Sequence, residues 1–359
     1  MANDAIGAAA LHPETQLVHA GTLRSQFGET SEALFLTQGH VYDSAEQAEG
    51  RFLNTDPGFQ YGRLSNPTDA MLEQRMATFE GAEACRATAT GMAAVTAAVM
   101  APVRAGDHVV AARALFGSCR YVIEDHLPRY GVEVTYYDPL IGEGIAELFK
   151  SNTRAVWTES PGSQTLEVQD IPAIVAAAHA RDIMVMMDNT WATPLFFDAH
   201  KFGVDVSVQA GTKYYAGHSD VLIGTVSART PELYAQLKLS WDALGVIIAA
   251  EDAYLTLRGI RTMALRLKEQ MPAGLEMANW LAERPEVARV IHPALPGDAG
   301  HAIWKRDFTG ACSLFSIELQ PVSMKAVAAM LDGLTLFGMG ASWGGYESLV
   351  LPFDCTRYR

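Results

Sequence analysis

An α/β fold on a mainly parallel sheet is predicted by three features of this 359-residue chain. Short apolar, partly β-branched runs recur at residues 108–112, 154–159, 183–188, 204–210 and 222–228. Stretches with helical spacing separate them, the alternation expected when crossover helices join parallel strands. Hydrophobic residues make up 49% of the chain against 19% charged, enough for one large domain and a smaller one.

Taken in order, residues 1–60 carry little periodicity, many polar residues and a Pro57–Gly58 turn. They read as an extended arm for subunit contacts, ordered by a neighbour. A helix is expected from Asn66–Pro67, a cap followed by proline in the first turn, with Leu72, Met76 and Phe79 on one stripe and a stop before Gly81. The run ATATGMAAVTAAV reads as a short strand and then a helix opened by Gly91. After the 154–159 run, Asp170 caps a helix with Pro172 in its first turn and Ile171, Ile174, Val175 and Ala178 on one face. These elements make a large domain over 61–248. Beyond residue 249 the pattern changes: 251–270 is rich in helix formers, and HPALPGDAGH breaks the chain before a strand-like 312–319. That part, 249–359, reads as a smaller C-terminal domain.

The formal charge of -14 and pI near 5.1, without a basic run, argue against a nucleic-acid partner. The N-terminus lacks a basic n-region, and the longest apolar stretch, 93–103, is shorter than the ~18 residues of a membrane span. Neither a membrane nor export is expected, and the location read from this is cytoplasmic. Cys85, Cys119, Cys312 and Cys355 have no CxxC spacing and read as reduced thiols, with Cys355 the candidate for exposure. No HExxH or GxxxxGK[ST] occurs, so neither a metal site nor a P-loop is expected, and His218 in AGHSD reads as structural or as support for a ligand-binding residue. In the run from Gly338 to Gly344, Trp343 takes the third glycine's place of GxGxxG, which removes a nicotinamide site. Trp157 and Trp191, near strand ends, are left without a role.

In such sheets the ligand site lies outside the carboxyl ends of the strands. Asp188 falls there, after VMMD, and Thr212 and Lys213 follow VDVSVQAG. Alone, the aspartate also fits a turn cap and the lysine a solvated side chain. Together they suit pyridoxal 5'-phosphate (PLP), which needs a lysine to carry it and an acid to keep its ring nitrogen protonated. The helix opened by Gly91 would offer free N–H groups and a positive dipole end to the phosphate, although the same run fits a plain strand-turn-helix. Thr212 could add a hydroxyl.

The motifs SVQAGTKYYAGHSDVLIGT, DNTWATP, ESPGSQTLEV and SWGGYESL resemble the Cys/Met metabolism PLP-dependent enzymes, and the likeness covers nearly the whole chain. It implies a fold-type I PLP-dependent transferase (aminotransferase-like) with a mostly parallel sheet and a smaller C-terminal α+β domain, here truncated, in a cytoplasmic homotetramer built from dimers. Carried over by motif, Lys213 would hold PLP covalently, Asp188 would pair with its ring nitrogen, and Gly91, Met92 and Thr212 would bind its phosphate. Tyr61 and Arg63, in YGRLSNPT, match residues that reach into the neighbouring subunit's cofactor phosphate. Ser342 and Trp343 match positions on the substrate side.

Within the family, TQLVHAGTLRSQFGETSEALFLTQGHVYDSAE and ARALFGSC resemble O-succinylhomoserine sulfhydrylase, whereas the chain from Asp138 onward resembles cystathionine β-lyase. The second likeness implies trans-sulfuration in methionine biosynthesis, with β-elimination of cystathionine to homocysteine, pyruvate and ammonia. The first implies γ-replacement of an O-acylhomoserine by sulfide, and a third reading is a PLP-fold hybrid with little or no turnover. Phe116 stands where β-lyases carry a tyrosine over the cofactor ring, keeping the stacking and losing the phenol. Ala210 replaces a phosphate-binding serine. The carboxylate-gripping arginine of a terminal motif resembling LRLHIGLED has no counterpart in the sequence, and Arg357 and Arg359 are not motif matches.

Overall fold

The computed structural model describes residues 11–354; Cys355, Arg357 and Arg359 lie outside them. Among the described residues, one sheet contains β1 (Ala84–Thr88), β2 (His108–Ala112), β3 (Glu133–Tyr137), β4 (Thr153–Glu159), β5 (Met184–Asp188), β6 (Val206–Gln209) and β7 (Gly224–Ala228). Their spatial order is β1-β7-β6-β5-β4-β2-β3, and β7 alone runs opposite to the other six. The five runs read from the sequence are β2, β4, β5, β6 and β7, and ATATG holds the end of β1. Strand β3, EVTYY, is an addition: it lies at the sheet's edge with its first residue exposed, so it lacks the continuous apolar run that marks its buried neighbours.

The helix Pro67–Glu80 is capped by Asn66, whose side chain accepts from Thr68 N, and ends at Gly81 with φ 63°; Leu72, Met76 and Phe79 are buried as expected. The helix Ile171–His179 buries Ile171, Ile174, Val175 and Ala178, the predicted stripe, with Asp170 accepting from Ala173 N at 3.1 Å. Apolar side chains from both helices, from Gly91–Met100 and from every central strand merge into one core.

The N-terminal segment differs from a purely extended arm. It holds the helices Pro13–His19 and Ala45–Phe52, and Leu17 is fully buried. It is also fastened within its own chain: the buried Glu32 carboxylate meets Arg75 at 2.6 Å and Arg261 on its other oxygen. Arg75 donates further to Ala20 O at 2.7 Å and Thr22 Oγ1 at 3.0 Å. Toward the C-terminus, Ala250–Ile260 and Met263–Ala282 are helical, β8 (Val287–Ile291) pairs antiparallel with β9 (Ser316–Leu319), and β10 (Gly338–Met339) pairs parallel with β11 (Leu349–Val350). Of the expected strand 312–319 only the second half forms; Cys312 precedes it and is buried. No helix among the described residues is long and apolar enough to cross a membrane.

Candidate active site

The carboxyl ends of β4, β5 and β6 converge on one place. Asp188 ends β5, and its Oδ1 accepts two hydrogen bonds from Thr190, one from N–H at 2.9 Å and one from the hydroxyl at 2.6 Å. The same hydroxyl accepts from Ala210 N at 2.8 Å. Thr190 therefore ties the carboxylate to the start of the turn after β6, which carries Lys213.

That turn is tight, with Lys213 N bonded to Ala210 O at 3.0 Å and Gly217 N to Lys213 O at 2.9 Å. Lys213 Nζ donates to Ser342 Oγ at 3.1 Å and lies 5.5 Å from the centre of the Trp343 ring. Burial lowers the pKa of the amine below the usual lysine range, and the charge of Asp188 partly opposes this. Ser342 and Trp343 come close because Gly344, at φ 80°, lets its loop rest on the turn: a Cβ there would sit 3.1 Å from Lys213 C. The Trp343 ring also meets Tyr214 edge-on, with centroids 5.4 Å apart.

The helix Gly91–Met100 begins beside the same turn. Thr90 caps it by accepting from Ala93 N at 3.0 Å, and the N–H groups of Gly91 and Met92 fall outside the helical ladder. A Cβ on Gly91 would stand 2.8 Å from Ala210 Cβ, so glycine allows this close approach. Thr212 is nearby but its hydroxyl is engaged, donating to Ile223 O at 3.1 Å and accepting from Ile223 N at 3.0 Å. Donation to an anion would mean giving up that first bond. Phe116 follows β2, is 45% exposed, and its N–H is held by Glu159 Oε2 at 2.7 Å.

Tyr61 and Arg63 are not brought to Lys213 of their own chain. Tyr61 is bridged to Gly39, and Arg63 donates to Asp242 O at 3.0 Å; both side chains are exposed. Trp157 is fully buried, and Trp191 is packed edge-on against His292 and Phe308, so both belong to the core. The exposed His218 bonds Ala216 O at 2.7 Å.

Three residues here were not singled out from sequence. Glu159 and Thr190 lie inside the quoted motifs, and a threonine two places after a strand-end aspartate was a readable turn signal. Arg266 gave none. It crosses from Met263–Ala282 to donate to Tyr214 O at 2.7 Å and Gly259 O at 2.9 Å, over a Gly217 whose φ of 68° and missing Cβ leave room for the guanidinium.

The residues present fit PLP: a half-buried amine, a carboxylate whose known bonds fall on one oxygen, and free N–H groups at a helix start beside them. The profile of the Cys/Met metabolism PLP-dependent enzyme family matches residues 14–357. The chain is 42% identical to the cystathionine β-lyase of Escherichia coli (strain K12) over 343 residues, 94% of this chain and 87% of that one. It is 40% identical over the same length to the cystathionine β-lyase of Salmonella typhimurium, with the same coverage. Alignments of that length extend the β-lyase likeness well upstream of Asp138. Among solved structures, cystathionine γ-synthase from Xanthomonas oryzae pv. oryzae, in complex with aminoacrylate and cysteine, superposes with a TM-score of 0.88 at 30% identity, over 94% of this chain and 86% of that one.

Proposed function

Because the chain belongs to the Cys/Met metabolism PLP-dependent enzyme family, we propose that it is a PLP-dependent carbon–sulfur lyase that takes cystathionine and water to homocysteine, pyruvate and ammonia. The observation that carries this reading is the setting of Lys213, with its amine 3.1 Å from Ser342 Oγ, its turn tied to Asp188 through Thr190, and Trp343 beside it. Lys213 would hold PLP covalently, Asp188 would keep the ring nitrogen protonated, Phe116 would lie against the ring, and Gly91, Met92 and Thr212 would bind the phosphate. Bound PLP supplies the electron sink that makes loss of the α-proton and departure of the β-thiolate feasible.

The protein's own part is to place and move protons. Burial raises the share of Lys213 that is a neutral amine, able to take the α-proton at Nζ, and Ser342 Oγ orients that nitrogen. Ser342 and Trp343 would line the substrate side. Tyr61 and Arg63, exposed on this chain, would complete the site of a neighbouring subunit in a cytoplasmic homo-oligomer.

The test begins with absorbance spectra of wild type and Lys213→Ala, each with and without added PLP. Wild type should gain a band at the violet edge of the visible that borohydride fixes to the protein; the variant should not. Cystathionine should then yield pyruvate. Homocysteine formed from O-succinylhomoserine only with sulfide, and without pyruvate, would assign γ-replacement instead.

A further inference from the structure

Glu159 takes no part in the roles above, yet it ends β4 where Asp188 ends β5, and the two residues are paired in the parallel register. Their side chains therefore leave the same face of the sheet from strands about 4.8 Å apart. Two carboxylates so close, Glu159 buried and Asp188 half-buried, disfavour a double negative charge. Burial raises the pKa of Asp188 too, opposed by the two bonds from Thr190 and by the charge of Lys213, the cation that faces it. Cys119, from Gly117–Arg120, also faces the pair, but burial and the two acids keep its thiol protonated.

Burial and the lysine charge sort the two acids. Both accept hydrogen bonds that favour a charge, but Glu159 is buried while Asp188 is half-buried and lies within reach of Lys213. Asp188 Oδ1 receives two donors from Thr190, which favour its charged form. Glu159 Oε2 accepts from Phe116 N at 2.7 Å, and Oε1 accepts from the Ser163 hydroxyl, a group that can rotate to accept instead. A protonated Glu159 keeps both contacts, with its own O–H turned to Ser163.

We propose that Glu159 is a positioning residue that retains the one proton of the Glu159–Asp188 pair, so that Asp188 alone presents negative charge to a bound pyridine ring while the Phe116 backbone is held in place. This rests on the assignment of Asp188 and Phe116 to PLP. Burial, aided by the charge of Asp188, pushes the Glu159 carboxyl up to about 8, in keeping with the arrangement.

The proton is read directly by infrared difference spectroscopy on the protein without added PLP. Wild type minus Glu159→Gln at pH 7 should show the carbonyl stretch of one protonated acid, fading as the pH passes about 8. In an Asp188→Asn background the same band should fade at lower pH, because the neighbouring charge is gone. Absence of the band at pH 7, or a midpoint indifferent to Asp188→Asn, overturns the proposal. With PLP added, Glu159→Gln should bind it within about threefold of wild type. Glu159→Ala, which strands the Phe116 N–H, should bind about tenfold more weakly. Glutamine as weak as alanine would mean that the charge itself is needed, again overturning the proposal. A wild type that shows the acid band but takes up no PLP supports the proton's location and removes the cofactor roles of Asp188 and Phe116.

Discussion

Thr190 shows how much one hydroxyl can carry. It donates to Asp188 and accepts from Ala210 N, so it joins the acid to the turn bearing Lys213. Thr190→Val should lower stability by about 1–3 kcal/mol, since Asp188 Oδ1 loses one of its two donors and the half-buried Ala210 N–H loses its acceptor. PLP titration should show weaker binding than wild type, and Thr190→Ser should recover most of it. Glu80 makes a prediction of opposite kind. It is fully buried, accepts from Tyr215 Oη at 3.1 Å, and burial pushes its carboxyl up to about 7. The folded protein then holds this proton more tightly than the unfolded chain does. Its contribution to stability is complete at acid pH and is lost as pH rises from the unfolded value, ~4.3, through about 7. Denaturant melts of wild type should show stability falling with pH in that window, by up to about 1.4 kcal/mol per unit from this group, and Glu80→Gln should flatten that part of the slope. Lys213, Asp188, Ser342 and Trp343 were legible in the sequence because strand ends and motifs mark them. Glu159 and Arg266 were not, because their significance comes from a strand register and from a bond across the fold, neither of which one segment contains.

At the scale of elements, burial decides what the sequence reveals. The central strands are almost fully buried, and their apolar residues announce them even though Ser207, Gln209, Thr225 and Ser227 put polar groups on one face of β6 and β7. Asp170–Pro172 with its four-residue stripe specifies a helix almost completely. In strand β3 only Tyr137 is buried, so EVTYY reads as neither a buried strand nor a helix. Pro13–His19 is too short to hold together by propensity alone; it exists because Leu17 and Gln16 are buried against the rest of the chain. The same segment is secured by Glu32, whose carboxylate lies between Arg75 and Arg261. Glu32→Ala leaves the buried Arg75 guanidinium without its counter-charge and should cost about 3–5 kcal/mol. Urea melts should register that loss, while a change within 0.5 kcal/mol would show that the arm contributes little to folding.

For the whole molecule, the placement of Tyr61 and Arg63 on exposed surface, away from Lys213, makes the proposed sharing of sites directly measurable. Arg63→Ala and Lys213→Ala homo-oligomers should each be nearly inactive. Mixed and allowed to exchange subunits, they should regain lyase activity, because some sites then draw both intact residues from different chains. No recovery, with exchange verified by mass, would place each site within one chain. The insertion of β7 between β1 and β6 has a further consequence, for the order in which the molecule can be made. During synthesis β1 emerges first of the seven strands, yet its one partner in the sheet is β7, from Ala84 opposite Ala228 to Thr88 opposite Gly224. Everything between, the Lys213 turn included, must leave the ribosome before β1 has anything to pair with, so the first strand translated is among the last to find its place.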